Sequence, residues 1–252
     1  MRFKEVSSRP TLCIKEAATK TNIMNWRRWA FVLAMMGCVQ FIVLTTVAMF
    51  YYPGGTYTNH DAVGYSFWYN FFSDLGRRAT FSGASNTVSH ILFVTALCFA
   101  ALVLALAFAA LPQLFTKVKS ARRLAVLGSI VGIISVVSYI GIASVPADLH
   151  LNTHRLFVYI AFTAFLLVVA LYSAAIFRNR FYPNIYAYTY LAFAVILALY
   201  LVLLFAGPKA ETSWGNRLQA TGQKIVVYAE IVCMFIQSYG ALIVQRRLQS
   251  LE

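Results

Sequence analysis

The side chains able to do chemistry in this chain are four histidines, His60, His90, His150 and His154, together with Ser73, Asp74, Arg77, Asp148 and Glu230. Imidazole titrates near neutrality and ligates metals, so histidines grouped with carboxylates point to proton transfer, to a zinc-bound water or to recognition of a charged group. Spacing sorts the residues into sets. His90 follows Asn86 by one helical turn and has Ser85 and Ser89 beside it. Asp148, His150 and His154 are close in sequence, and the two histidines share a face if that stretch is helical. Ser66, Asn70, Ser73, Asp74 and Arg77 recur at helical spacing among Phe67, Trp68, Phe71 and Phe72, which is the pattern of an amphipathic helix. Such a helix either lies in the interface or folds back over its neighbours, with Asp74 paired to Arg77 or Arg78.

Glu230 stands apart because it lies within an apolar stretch, with Gln223 and Gln237 at a seven-residue period on either side. A carboxylate in hydrocarbon is costly, so this stripe is expected to face a protein interior, where Glu230 is protonated or paired with Arg217, Lys224 or a histidine. Interhelical hydrogen bonding is the competing role for such a group.

These residues must be positioned by six long apolar stretches, at about 29–51, 87–111, 124–145, 156–177, 185–206 and 224–244, each near the ~20 residues needed to cross a bilayer as a helix. Pro53-Gly54-Gly55, Pro112, Pro146, Pro183 and Gly207-Pro208 punctuate their ends. Hydrophobic residues make up 60% of the chain and charged residues 12%, a balance that would leave a soluble domain with too much apolar surface. The net charge of +13 does not indicate nucleic-acid binding, because Lys and Arg gather beside the span ends. The cation-rich segments are the N-terminal tail, the loop at 117–123, Arg178 with Arg180, and Arg246 with Arg247. They alternate with poorer connectors, and the positive-inside rule assigns them to the cytosol. The histidines then all fall in connectors or helix ends on the opposite, outer side.

The expected architecture is all-α: a polytopic membrane protein with six transmembrane helices, one amphipathic outer helix and both termini cytosolic. A basic tail over 1–25 precedes a single domain over 26–247 and a short end over 248–252. The tail lacks the apolar core and cleavage site of a signal peptide, and neither a myristoylation pattern nor a prenylation box is present. Cys13, Cys38, Cys98 and Cys233 show no Cys-x-x-Cys spacing and read as unpaired thiols. Gly128 and Gly132 form a small-xxx-small step expected to admit a neighbouring helix, while Tyr182, Tyr186, Tyr188 and Tyr190 suit the headgroup region.

The segment Phe72-Ser73-Asp74-Leu75-Gly76-Arg77, preceded by Tyr52-Pro53-Gly54-Gly55, resembles the Ser-Asp-Leu-Gly signature of the domain-of-unknown-function 998 family of multi-pass membrane proteins. Val145-Pro146-Ala147-Asp148 followed by His154 is similar to that family's Pro-x-Asp and His elements. The resemblance runs from the first span to the sixth and implies a six-helix membrane protein without a named reaction. Autophagy-modulator and Frag1-like membrane proteins have a related layout. Alkaline ceramidases and adiponectin-receptor-like hydrolases offer ligand types similar to His90, Asp148, His150 and His154, but they have seven helices and carry their His-x-x-x-His pair in the last one.

Three functions are consistent with these residues. The leading one is an integral membrane protein of unassigned activity, surrounded by membrane lipids, with no favoured cofactor. Its outward-facing pocket of Ser73, Asp74, Arg77, His90, Asp148, His154 and Glu230 recognises a lipid headgroup or small polar ligand. The alternative is a zinc-dependent intramembrane hydrolase, with zinc on His90, Asp148, His150 and His154 and with Asp74 or Glu230 moving protons. The third is a proton-coupled transporter using Glu230 as its relay.

Overall fold

The computed structural model describes residues 9–250, with side chains from residue 25, so the expected basic tail over 1–25 and residues 251–252 lie outside the described side chains. Six helices make up the fold: α1 (Arg9–Phe50), α2 (Thr87–Ala110), α3 (Lys119–Ser144), α4 (Leu151–Phe177), α5 (Ile185–Ala206) and α6 (Ser213–Gln249). No strand forms among the described residues, only the isolated bridges Gly54–Val63 and Ala79–Ser85. Each helix contains an apolar segment long enough to cross a bilayer, so the chain is a multi-pass integral membrane protein. Its outward surface agrees: Leu102, Leu199 and Val202 are each more than half exposed, an arrangement stable only against lipid.

Local chemistry sets the helix ends. Pro53 follows α1, and Pro112 tightens the end of α2 into a short 3-10 extension, Leu111–Phe115. Gly207-Pro208 stops α5, while Thr212 caps α6 by accepting a hydrogen bond from the Gly215 N–H at 3.0 Å. Helices α3, α4 and α6 begin upstream of 124, 156 and 224, where apolar composition alone would start them. The added turns are polar: in α3 and α4 they are largely exposed, with Lys119, Ser120, Asn152 and Thr153 facing outward, whereas in α6 Asn216, Gln219, Gln223 and Lys224 are all buried against protein.

Each helix packs against its neighbours in sequence, and α6 closes back onto α1, so the six form a ring. A ring of six helices leaves a central space that side chains must fill. Over the half of the bundle that ends at the α2–α3 and α4–α5 connectors, aromatic rings fill it. Phe108 stacks on Tyr172 at 6.3 Å, Tyr172 on Tyr190 at 6.1 Å, and Phe115 on Tyr182 at 5.3 Å. Two of the four tyrosines expected at the headgroups, Tyr182 and Tyr190, are therefore core residues. Burial pushes the Tyr182 phenol well above its usual range. Gly128 and Gly132 make room for the rings of Tyr172 and Phe108 respectively, and not for a helix backbone; a Cβ on Gly132 would lie 2.6 Å from the Phe108 ring. Ser129, between them, donates to the Phe108 carbonyl and hydrogen-bonds the Tyr172 hydroxyl at 2.7 Å. Cys38, Cys98 and Cys233 are free thiols.

Candidate functional site

The opposite half of the ring is covered by the long α1–α2 connector, and here the expected amphipathic helix does not form. Residues 66–70 make a turn, and Phe72–Gly76 make a single short 3-10 helix. The extended backbone at Phe71 (ψ 159°) separates the two turns, and each is closed by its own side chain: Asn70 Oδ1 accepts from the Ser66 N–H at 2.9 Å, and Asp74 Oδ2 caps the short helix by accepting from the Phe71 N–H at 2.8 Å and also takes the Asn70 amide at 3.2 Å. The connector does fold back over the bundle. Phe72, Asp74, Leu75 and Gly76 are buried, and Phe72 packs on Phe41 of α1 and Tyr228 of α6.

This lid is anchored on three sides. On α2, the Asn86 amide donates to the carbonyls of Leu75 and Arg77 at 3.0 and 2.9 Å, Ser89 donates to Leu75, and His90 Nδ1 donates to the Gly76 carbonyl at 2.7 Å. On α6, Gln223 Oε1 accepts from the Phe72 N–H at 2.8 Å. Lys224, 1% exposed, donates to the Asn70 carbonyl from among the rings of Tyr65, Phe67 and Phe72. On the α3–α4 turn, the Asp148 carboxylate accepts from the Arg78 N–H at 3.1 Å and the Ala79 N–H at 3.0 Å. The expected Asp74 ion pair with Arg77 or Arg78 is absent among the described residues. Arg77 lays its guanidinium 3.9 Å over the Phe81 ring and donates from Nε to the Ala79 carbonyl, acting on Asp74 only through its charge. Burial pushes Asp74 up to about 6, against the opposing pull of Arg77, the Phe71 N–H, Asn70 and Lys224.

Two cavities lie at this end. A polar one of about 700 Å³ opens between the lid and the α3–α4 and α5–α6 turns, and includes Ser73, Asp74, Arg77, Asp148 and His154 of the expected pocket. Sequence reasoning missed three further lining groups: Arg155, Lys209 and Glu211. Beneath it, an apolar cavity of about 120 Å³ runs into the ring between α1, α2, α3, α4 and α6, and Glu230 lines that one. Ser73, Val158 and Gln223 line both. His90 lines neither, because its ring holds the lid.

His154 is 4% exposed and donates from Nδ1 to the Val145 carbonyl at 2.7 Å, which leaves Nε2 of the neutral ring as a buried acceptor without a partner. Glu230 accepts from the Tyr139 hydroxyl at 2.6 Å rather than from Arg217, Lys224 or a histidine. The stripe it shares with Gln223 and Gln237 does face the interior, and Gln237 donates to the Tyr186 carbonyl at 2.7 Å. His150 is exposed at the start of α4, and His60 is exposed against the Phe81 ring. The zinc set of His90, Asp148, His150 and His154 is thus divided among separate tasks. Among the described residues no group of three or more His, Cys, Asp or Glu could hold a metal ion.

No protein-family model, curated protein or solved structure matches this chain.

Proposed function

We propose that this membrane protein binds a lipid headgroup or small polar ligand in the polar cavity beneath the α1–α2 connector, and that this cavity faces outward with both termini cytosolic. Membership of the domain-of-unknown-function 998 family is proposed with it, on the Ser73-Asp74-Leu75-Gly76 segment and the Pro146 to His154 turn. The observation that carries the binding reading is a roomy polar cavity of about 700 Å³ lined by three cations, Arg77, Arg155 and Lys209, together with His154. The side chains of Arg155 and Lys209 have no hydrogen-bond or ion-pair partner among the described residues, so their charge is available to a ligand.

Native mass spectrometry of the protein extracted in mild detergent tests this reading. Wild type is expected to retain a bound small molecule or lipid, and both His154→Ala and Arg77→Ala are expected to lose it. Identical bound mass in all three proteins, or none in any, would sink the proposal.

A further inference from the structure

The two cavities adjoin, and their contrast in chemistry describes one kind of molecule. Ser73, Val158 and Gln223 line both spaces, so a ligand held above reaches directly into the space below. The lower cavity is apolar almost throughout, walled by residues such as Ala34, Cys38, Leu97 and Ala100, whose small or flexible side chains leave space within the ring. Along α6 it extends from Gln223 to Met234, roughly 16 Å at the helical rise. Its modest volume over that length makes it narrow.

The upper cavity has uncommitted charge of mostly one sign. Asp148 is occupied by two backbone N–H groups, and Asp74 is buried against Phe71 and Asn70. Glu211 is exposed and has no partner among the described residues. Against this single free carboxylate stand Arg155, Lys209 and the terminal nitrogens of Arg77. Such a set favours a phosphate or carboxylate. Three cations around one cavity match the double charge of a phosphate monoester better than the single charge of a carboxylate.

We infer that the ligand is a single-chain anionic amphiphile, with a phosphate head in the polar cavity and one hydrocarbon tail in the apolar cavity. The inference rests on the binding reading above and deepens it. One narrow cavity admits one chain, so a monoacyl lipid fits where a diacyl lipid leaves its second chain without a place. Because the tail arrives from a bilayer that is already apolar, its contribution is packing against the cavity wall, and it is therefore sensitive to that wall's shape.

The test uses the full chain in nanodiscs of zwitterionic lipid, with oleoyl lysophosphatidate, oleate, dioleoyl phosphatidate and water-soluble glycerophosphate as probes. Cys38→Leu and Ala100→Leu each fill the apolar cavity from a different helix, and melting temperature checks that each variant folds. Wild type is expected to bind oleoyl lysophosphatidate, and each folded filling variant to bind it about tenfold more weakly while glycerophosphate binding stays unchanged. If lysophosphatidate binds the filled variants as well as wild type, the tail assignment is overturned and the polar pocket stands. If dioleoyl phosphatidate binds as tightly, the single-chain assignment is overturned. If oleate binds as tightly, the phosphate head is overturned. If no probe binds to wild type, both this inference and the pocket reading fall.

Discussion

Asp74 is a buried carboxylate and Glu230 a half-buried one, and they are held by different means. Asp74 sits in the connector, where burial pushes its carboxyl from an ordinary 3.8 up to about 6 despite the hydrogen bonds and cations around it. Between those two values the folded protein binds a proton that the unfolded chain does not, so the contribution of Asp74 to stability is full below 3.8 and is lost as pH rises through about 6. Thermal unfolding in detergent is expected to show wild type losing up to about 3 kcal/mol relative to Asp74→Asn between pH 4 and pH 7.5. A pH-independent difference between the two would contradict this assignment. Glu230 depends on one hydroxyl, that of Tyr139 at 2.6 Å. Tyr139→Phe should cost roughly 1–3 kcal/mol by leaving that acceptor unsatisfied, and much less in a Glu230→Leu background, where no acceptor remains. Additive losses in the double variant would mean that the pair is not coupled.

At the scale of elements, the α1–α2 connector is a lid whose own sequence contains few helix-forming contacts and whose position is imposed by its neighbours. Gly55 illustrates the constraint: at φ +84° it occupies the left-handed region, and a Cβ there would lie 2.8 Å from the Phe81 carbonyl carbon. Asp148 contributes the anchor on the α3–α4 side through its bonds to the Arg78 and Ala79 N–H groups. Asp148→Ala removes a charged acceptor shared by two backbone donors, so a loss of about 2–3 kcal/mol and faster tryptic cleavage at Arg77 and Arg78 are expected. Asp148→Asn, which keeps one acceptor oxygen, should fall between wild type and Ala. Unchanged cleavage in Asp148→Ala would show that the α2 and α6 anchors suffice to hold the lid.

For the whole molecule, the ring of six helices brings the lid, the α3–α4 turn and the α5–α6 turn to one end and the cation-rich connectors to the other. The positive-inside rule predicts that the first end faces outward, which labelling tests. In a variant lacking the native cysteines, Cys introduced at His60 or His150 should react with a membrane-impermeant maleimide in intact cells, whereas Cys at Ser120 should react only after permeabilisation. The reverse pattern would place the polar cavity on the cytosolic side and limit its ligands to those of the inner leaflet.

Hydropathy was sufficient to locate all six helices, because a bilayer demands about 20 consecutive apolar residues and this requirement is local to each stretch. The same locality explains the inward stripe of Gln223, Glu230 and Gln237, since a helix that carries polar groups through lipid must turn them toward protein. Partners across the ring were not legible. Tyr139 lies on α3 and Glu230 on α6, and no spacing in one helix announces a residue on another. Lys224 looked like a neighbour for Glu230 but reaches the Asn70 carbonyl, because the folded-back connector brings a backbone acceptor closer. The helical pattern over 66–77 was misleading for a related reason: periodicity records which residues share a face, whereas here the Phe72 N–H goes to Gln223 of α6 and the Leu75 and Arg77 carbonyls go to Asn86, so bonds to other elements set the path of the chain. His90, His150 and His154 share one side of the membrane in sequence, yet one holds the lid, one lies exposed and one is buried against the Val145 carbonyl. Membership of a side is set by span count along the chain, whereas the separation of those roles depends on distances between elements that only tertiary packing determines.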